Sequence, residues 1–181
     1  MEQSAVKNQE VEMTVYDYLS RVLAYPFVGM RQLAEQGESI LISSYPEEIE
    51  NWQKFVSSIA LLDQGEWEEL YVATFDVQAA CCLDIGYVLY GEDYKRGQFM
   101  ANLKEACRTL HVDIGTELPD HLPNILRLLP KLKFGDGANL VNGVVAPAMD
   151  KMLGGFEKSE NPYRWIIAIV RQVLRKDYQM Q

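Results

Sequence analysis

Two histidines, three cysteines and a proline-bracketed Asp-His pair hold most of the chemical potential of this 181-residue chain. Metal binding would need thiolates or imidazoles that can converge on one ion. Cys81 and Cys82 are adjacent, without the two-residue gap that lets paired thiolates reach a tetrahedral ion, and the histidines are only His111 and His121. The cysteines read as small buried hydrophobes, and no metal ligands are assigned. Gly135 to Gly137, the GDG of KFGDG, lack the spacing and the Lys-Ser/Thr ending of a phosphate loop and read as a turn. There is no serine elbow, and Asp120 and His121 are sequence neighbours, whereas a catalytic base and its orienting acid must face each other. No catalytic residues are assigned, and the chain reads as a non-enzyme.

Binding is the chemistry that remains. In ELPDHLP, Glu117 to Pro123, two prolines bracket a rigid turn that projects an acid and an imidazole between two helices. Asp120 either caps the helix that Pro123 opens or, with His121, is a polar anchor at the edge of an apolar groove. Trp67, Tyr71 and Phe75 fall at i, i+4 and i+8 and so share one helix face, as core or as groove wall. Asp63, Glu66, Glu68 and Glu69 crowd the start of the same helix, which makes its surface apolar and acidic together. Such a surface suits an incoming segment with basic and hydrophobic residues.

The elements that position these residues are helices, because apolar residues recur at helical spacing almost everywhere and period-2 alternation is hard to find. Val11, Val15, Tyr18 or Leu19 and Val22 form a stripe that Pro26 stops, and a weaker helix interrupted by Gly37 follows. Pro46 and the acids Glu47, Glu48 and Glu50 suit the start of a helix carrying Ile49, Trp52, Val56, Ile59 and Leu62. Glu66 to about Gln78 reads as a helix that continues less regularly through Ala79 to Tyr90. A helix with Phe99, Leu103 and Cys107 precedes the main connector, near 111–122. Pro123 opens the next helix, Pro147 kinks the one after KFGDG, and Asn161-Pro162 starts the last. The expectation is an all-α, single-domain bundle of about eight to ten helices over 11–178, with residues 1–10 flexible.

Composition excludes several function classes. Hydrophobic residues make up 48% of the chain, and 17 basic side chains stand against 26 acidic ones, the wrong sign for a nucleic-acid partner. From Met1 to Gln78 there are 14 acidic and 4 basic side chains, so the first half carries all of the acidic excess. That asymmetry favours a basic partner or simply keeps the surface solvated. No apolar run approaches the roughly 20 residues that span a bilayer, and the polar, acidic start is unlike a secretory signal. Three cysteines, two of them adjacent, are a poor disulfide framework and fit the cytoplasm.

Four segments then carry a family resemblance. EELYVATFDVQ (Glu68 to Gln78), YVLYGEDYKRGQFMANL (Tyr87 to Leu103), ELPDHLPNILRLLPKL (Glu117 to Leu132) and NPYRWII (Asn161 to Ile167), in that order, resemble the nitrate reductase delta-subunit family, the redox-enzyme maturation chaperones of the NarJ/TorD/DmsD type. The resemblance covers roughly Val15 to Leu174 and implies a TorD-like, all-helical cytoplasmic chaperone. Such a protein binds the N-terminal or twin-arginine signal region of a molybdopterin oxidoreductase catalytic subunit. It assists insertion of the molybdenum cofactor and controls assembly and export, in nitrate assimilation or anaerobic respiration. It holds no cofactor tightly itself, since the client carries the molybdopterin, and it is a monomer or a dimer with no membrane insertion. Carried over, the family's Pro-Asp-His element falls on Pro119, Asp120 and His121 and its aromatic positions on Tyr71 and Phe75, with Glu66, Glu68 and Glu69 as an electrostatic contribution. After Thr-Phe-Asp the nitrate reductase members continue with a Ser-Leu-His-Leu-like stretch, where this chain has Ala80, Cys81, Cys82 and Leu83. The client therefore stays open between nitrate reductase and a selenate, chlorate, dimethyl sulfide or ethylbenzene oxidoreductase. The other reading is a structural delta subunit retained in the mature complex.

Overall fold

Helix boundaries follow local capping chemistry. The computed structural model describes residues 13–77, 81–156 and 160–179. Thr14 accepts the Asp17 N–H and starts α1 (Val15–Val22), and two short helices, α2 (Met30–Glu35) and α3 (Gly37–Leu41), follow Pro26. Pro46 opens a 3-10 turn that feeds α4 (Ile49–Ile59). At α5 (Gln64–Phe75) Asp63 accepts the Glu66 N–H while the Glu66 carboxylate accepts the Asp63 N–H, so two otherwise orphaned donors are satisfied reciprocally.

The second half contains α6 (Ile85–Tyr90), α7 (Tyr94–Thr109), α8 (Leu122–Leu128), α9 (Phe134–Leu140), α10 (Ala146–Gly155) and α11 (Tyr163–Tyr178). Asn161 accepts the Tyr163 N–H at 3.0 Å at the start of α11, but the helix begins one residue later than the Asn-Pro pair predicts, with Pro162 at its N-cap and not in its first turn. The structure is 72% helical, and no strand occurs among the described residues, so the chain is an all-α, single-domain bundle. No helix among them is long and apolar enough to cross a membrane.

α11 is the centre of the core. Ile166, Ile167, Ile169, Val170, Val173 and Leu174 are all fully buried, and α11 packs against both α4 and α10. A helix enclosed on several sides needs apolar residues beyond one stripe, which explains the Ile-Ile and Ile-Val pairs. Its C-terminal end is tied by polar bonds: Asp177 accepts both the Tyr16 and the Tyr45 hydroxyls, at 2.8 and 2.7 Å. On the other side α1 packs along α8.

Three expectations change. The helix after Gln64 does not run on to Tyr90. It ends at Phe75, and the backbone around Leu83 and Asp84 is instead paired with the connector, Ile85 N–H donating to Asp120 O and Leu122 N–H to Leu83 O, both at 2.9 Å. KFGDG is not a turn but the entry to α9, where Gly137 leaves room for the Tyr178 ring, which a Cβ would approach to 2.7 Å. Pro147 follows a widened π turn at Val141–Val145, which absorbs the hydrogen bond that proline cannot donate. The flexible segment expected at 1–10 and the apolar position Val11 lie outside the described residues.

Candidate functional site

A cleft of about 360 Å³ opens where α1, the Tyr25 segment, the end of α5, the connector after α7 and the start of α8 meet. Ala24, Tyr25, Tyr71 and Pro123 supply apolar wall. Asp17, Asp76 and Glu117 bring carboxylates, and Arg21, Arg127 and His121 bring nitrogen groups. Tyr71 is held by its hydroxyl, which donates to Leu23 O at 3.2 Å, and by edge-to-face packing on Tyr25, Phe75 and Tyr163. Each such pair adds roughly 0.5 to 1.5 kcal/mol beyond its burial, so the wall is stiff.

Tyr25 also belongs to a second hollow. Its ring is half exposed, its hydroxyl donates to Glu68 at 3.2 Å, and it borders a groove of about 460 Å³ on the outer face of α5, lined by Gly65, Glu68, Glu69, Val72, Ala73 and Val77. Groove and cleft thus meet at one side chain. The groove carries acids and aliphatic surface with no basic side chain in its lining.

Behind the cleft lies a cluster of ionised groups. Arg96, from the first turn of α7, donates through Nε to Asp120 Oδ2 at 2.9 Å and through Nη2 to Asp84 Oδ2 at 3.1 Å. Its guanidinium also lies over the Tyr87 ring. Asp84 Oδ1 faces His121 Nδ1 at 3.2 Å, and an isolated antiparallel bridge pairs the two residues through their backbones. Burial pushes the Asp84 carboxyl up, but the His121 hydrogen bond and the nearby positive charges outweigh it and hold the group below the usual carboxylate range. Burial pulls Arg96 down, and Asp120 and Asp84 more than restore it.

The site residues expected from sequence separate into three groups. His121 and Tyr71 line the cleft, and Glu68 and Glu69 line the groove. Asp120 does neither. It is fully buried, its Oδ2 faces Arg96, and its Oδ1 has no hydrogen-bond partner, so it is neither a cap nor a rim anchor. The N-cap of α8 is His121, with no side-chain cap bond. Phe75 is core, 4.8 Å centroid to centroid from Tyr163, and Glu66 is occupied in the α5 capping box. Pro119 is half-buried and outside both linings.

Sequence reasoning missed Tyr25, Arg21, Asp17, Asp76, Glu117 and Arg127 as lining residues, and Asp84 and Arg96 behind them. Tyr25 carried a faint signal, an aromatic residue held immediately before a helix-stopping proline. Asp76, Arg96, Glu117 and Arg127 lie inside the segments that carry the resemblance, but nothing local marks them, or Asp17, Arg21 and Asp84, as neighbours, because the cleft is assembled from segments more than a hundred residues apart. Among the described residues no group of three or more His, Cys, Asp or Glu side chains is placed to hold a metal ion. No protein-family model matches the chain, and no curated protein matches it.

Proposed function

We propose that this chain is a cytoplasmic, non-catalytic chaperone of the nitrate reductase delta-subunit type, which binds the N-terminal region of a molybdopterin-containing catalytic subunit while cofactor is inserted. The observation that carries the reading is convergence. The four segments that bear the resemblance are scattered from residue 68 to residue 167, yet two of them line one cleft and the other two pack behind its wall. Tyr71 and Asp76 come from the first, Glu117, His121, Pro123 and Arg127 from the third. Arg96 of the second braces the wall from behind, and Tyr163 of the fourth packs on Tyr71.

The chemistry of the surface fits such a client. An extended segment crossing Tyr25 would lay basic side chains against Asp17, Asp76 and Glu117 and aliphatic ones against Val72 and Val77, with Glu68 and Glu69 alongside. Copurification from the native host tests the proposal. The chain is expected with catalytic subunit that lacks its cofactor and absent from the finished enzyme. Stoichiometric retention in the active complex would replace the chaperone reading with that of a structural delta subunit.

A further inference from the structure

The hydrogen-bonding state of His121 follows from what stands behind it. An ionised carboxylate only accepts hydrogen bonds, and the Asp84 carboxylate has its Oδ1 against Nδ1 of the ring. The contact is therefore a bond only if Nδ1 carries the proton. Asp84 is not free to turn away, because its other oxygen accepts from Arg96 and its backbone is paired with that of His121. Arg96 in turn is anchored on the fully buried Asp120. The fit is close: a Cβ on Gly86, at the start of α6, would come within 2.6 Å of Asp120 Oδ2. The ring itself lines the cleft, and Nε2 has no partner among the described residues.

We infer that the Arg96–Asp84 pair holds His121 as its Nδ1–H tautomer, so that Nε2 is a hydrogen-bond acceptor in the cleft and recognises a side-chain N–H donor of the bound segment, a guanidinium above all. This is the reverse of the tautomer a free imidazole favours in water, and a neutral imidazole with one nitrogen protonated accepts at the other. Asp84 and Arg96 are positioning residues here: neither lines the cleft, and both act through His121. The ligand class rests on the chaperone reading, whereas the tautomer does not.

Long-range proton–nitrogen correlation spectra read the tautomer directly, and with two histidines in the chain the exposed His111 is an internal reference. At mildly alkaline pH His121 is expected to show the Nδ1–H pattern and His111 the ordinary one. Asp84→Ala is expected to return His121 to the ordinary pattern with helical circular dichroism retained, and Arg96→Lys to do so in part. An Nε2–H pattern in the wild type, or protons on both nitrogens at that pH, would overturn the assignment. The probes for the ligand are three synthetic peptides in which two arginines, two citrullines or two norleucines precede a short aliphatic run. Citrulline keeps the N–H donors without the charge. Asp84→Ala is expected to weaken the arginine and citrulline peptides by roughly tenfold, the worth of about one neutral hydrogen bond, and to leave the norleucine peptide unchanged. Equal weakening of all three would remove His121 as the acceptor. Failure of the wild type to bind any of them, with the Nδ1–H pattern intact, would overturn the ligand assignment and the chaperone reading together while leaving the tautomer standing.

Discussion

The Arg96 guanidinium lies 2.9 Å from the Asp120 carboxylate, and that carboxylate has no exposed surface at all. A side chain that sequence reasoning offers to a client is thus spent inside the protein, where it fixes the first turn of α7 against the connector before α8. The pair is a requirement of the fold and only through it a feature of the cleft.

Asp120→Asn separates these roles by stability. A surface anchor or cap would tolerate asparagine, but here the change removes a buried charge and leaves Arg96 with Asp84 alone. The loss is expected to be about 3 kcal/mol, in the range for breaking one partner of a buried pair. Urea denaturation measures it, and an unchanged midpoint would place Asp120 in solvent.

Two aromatic residues that meet on Tyr71 should behave oppositely. Phe75→Ala empties a core position beside Tyr71 and Tyr163 and is expected to cost about 3 to 5 kcal/mol. Tyr25→Ala removes a half-exposed ring and is expected to change stability by about 1 kcal/mol or less while weakening peptide binding. Thermal melts and calorimetric titrations on the same samples check both.

Glycine substitutions should divide by the space each one leaves. A Cβ at Gly37 would collide with Trp52 Nε1 and the Tyr18 hydroxyl, in a buried hydrogen-bonded group that also includes Ala34 O. Gly37→Ala is expected to lower the melting temperature sharply. Gly97 lies in α7 with nothing within 4 Å of an added Cβ, so Gly97→Ala is expected to stabilise by roughly 0.5 to 1 kcal/mol.

Salt dependence tests the electrostatic part of binding. A basic peptide is expected to lose affinity as ionic strength passes about 0.15 M, where the screening length is roughly 8 Å, and to keep an apolar remainder from the Tyr25 and Val77 surface. Affinity indifferent to salt would take Asp17, Asp76, Glu117, Glu68 and Glu69 out of recognition.

Alkaline stability follows from the buried tyrosines. Burial pushes the Tyr16, Tyr18, Tyr45, Tyr71 and Tyr163 hydroxyls up, with Asp177 adding to the shift at Tyr16 and Tyr45. For a group whose folded pKa is raised, the stabilisation is complete below the unfolded value near 10 and is lost as pH rises through the folded value. Absorbance titration is expected to show these five ionising only with loss of helical signal. A single transition near pH 10 with the helices intact would contradict it.

The sequence by itself determined the helices, because helix formation is decided within a few turns. Apolar spacing, the proline at Pro46 and the Asn161-Pro162 start are local signals, and each marks an element that forms within a residue or two of where it is expected, whereas the Asp63–Glu66 capping box starts α5 two residues before the Glu66 that the sequence reading gives. The position of the connector before α8 was legible for the same reason. Tertiary structure decided what the side chains there do. Asp120 looks like a cap in sequence, and it is an internal counter-ion because Arg96 approaches it from a helix 24 residues away. Gly135 and Gly137 read as a turn, yet α9 forms through them, and Tyr178 on the last helix takes the space a side chain at Gly137 would fill. The cleft was invisible for a similar reason: Tyr25, Tyr71 and His121 share a wall only once α1 has packed along α8, and no window of sequence contains that contact.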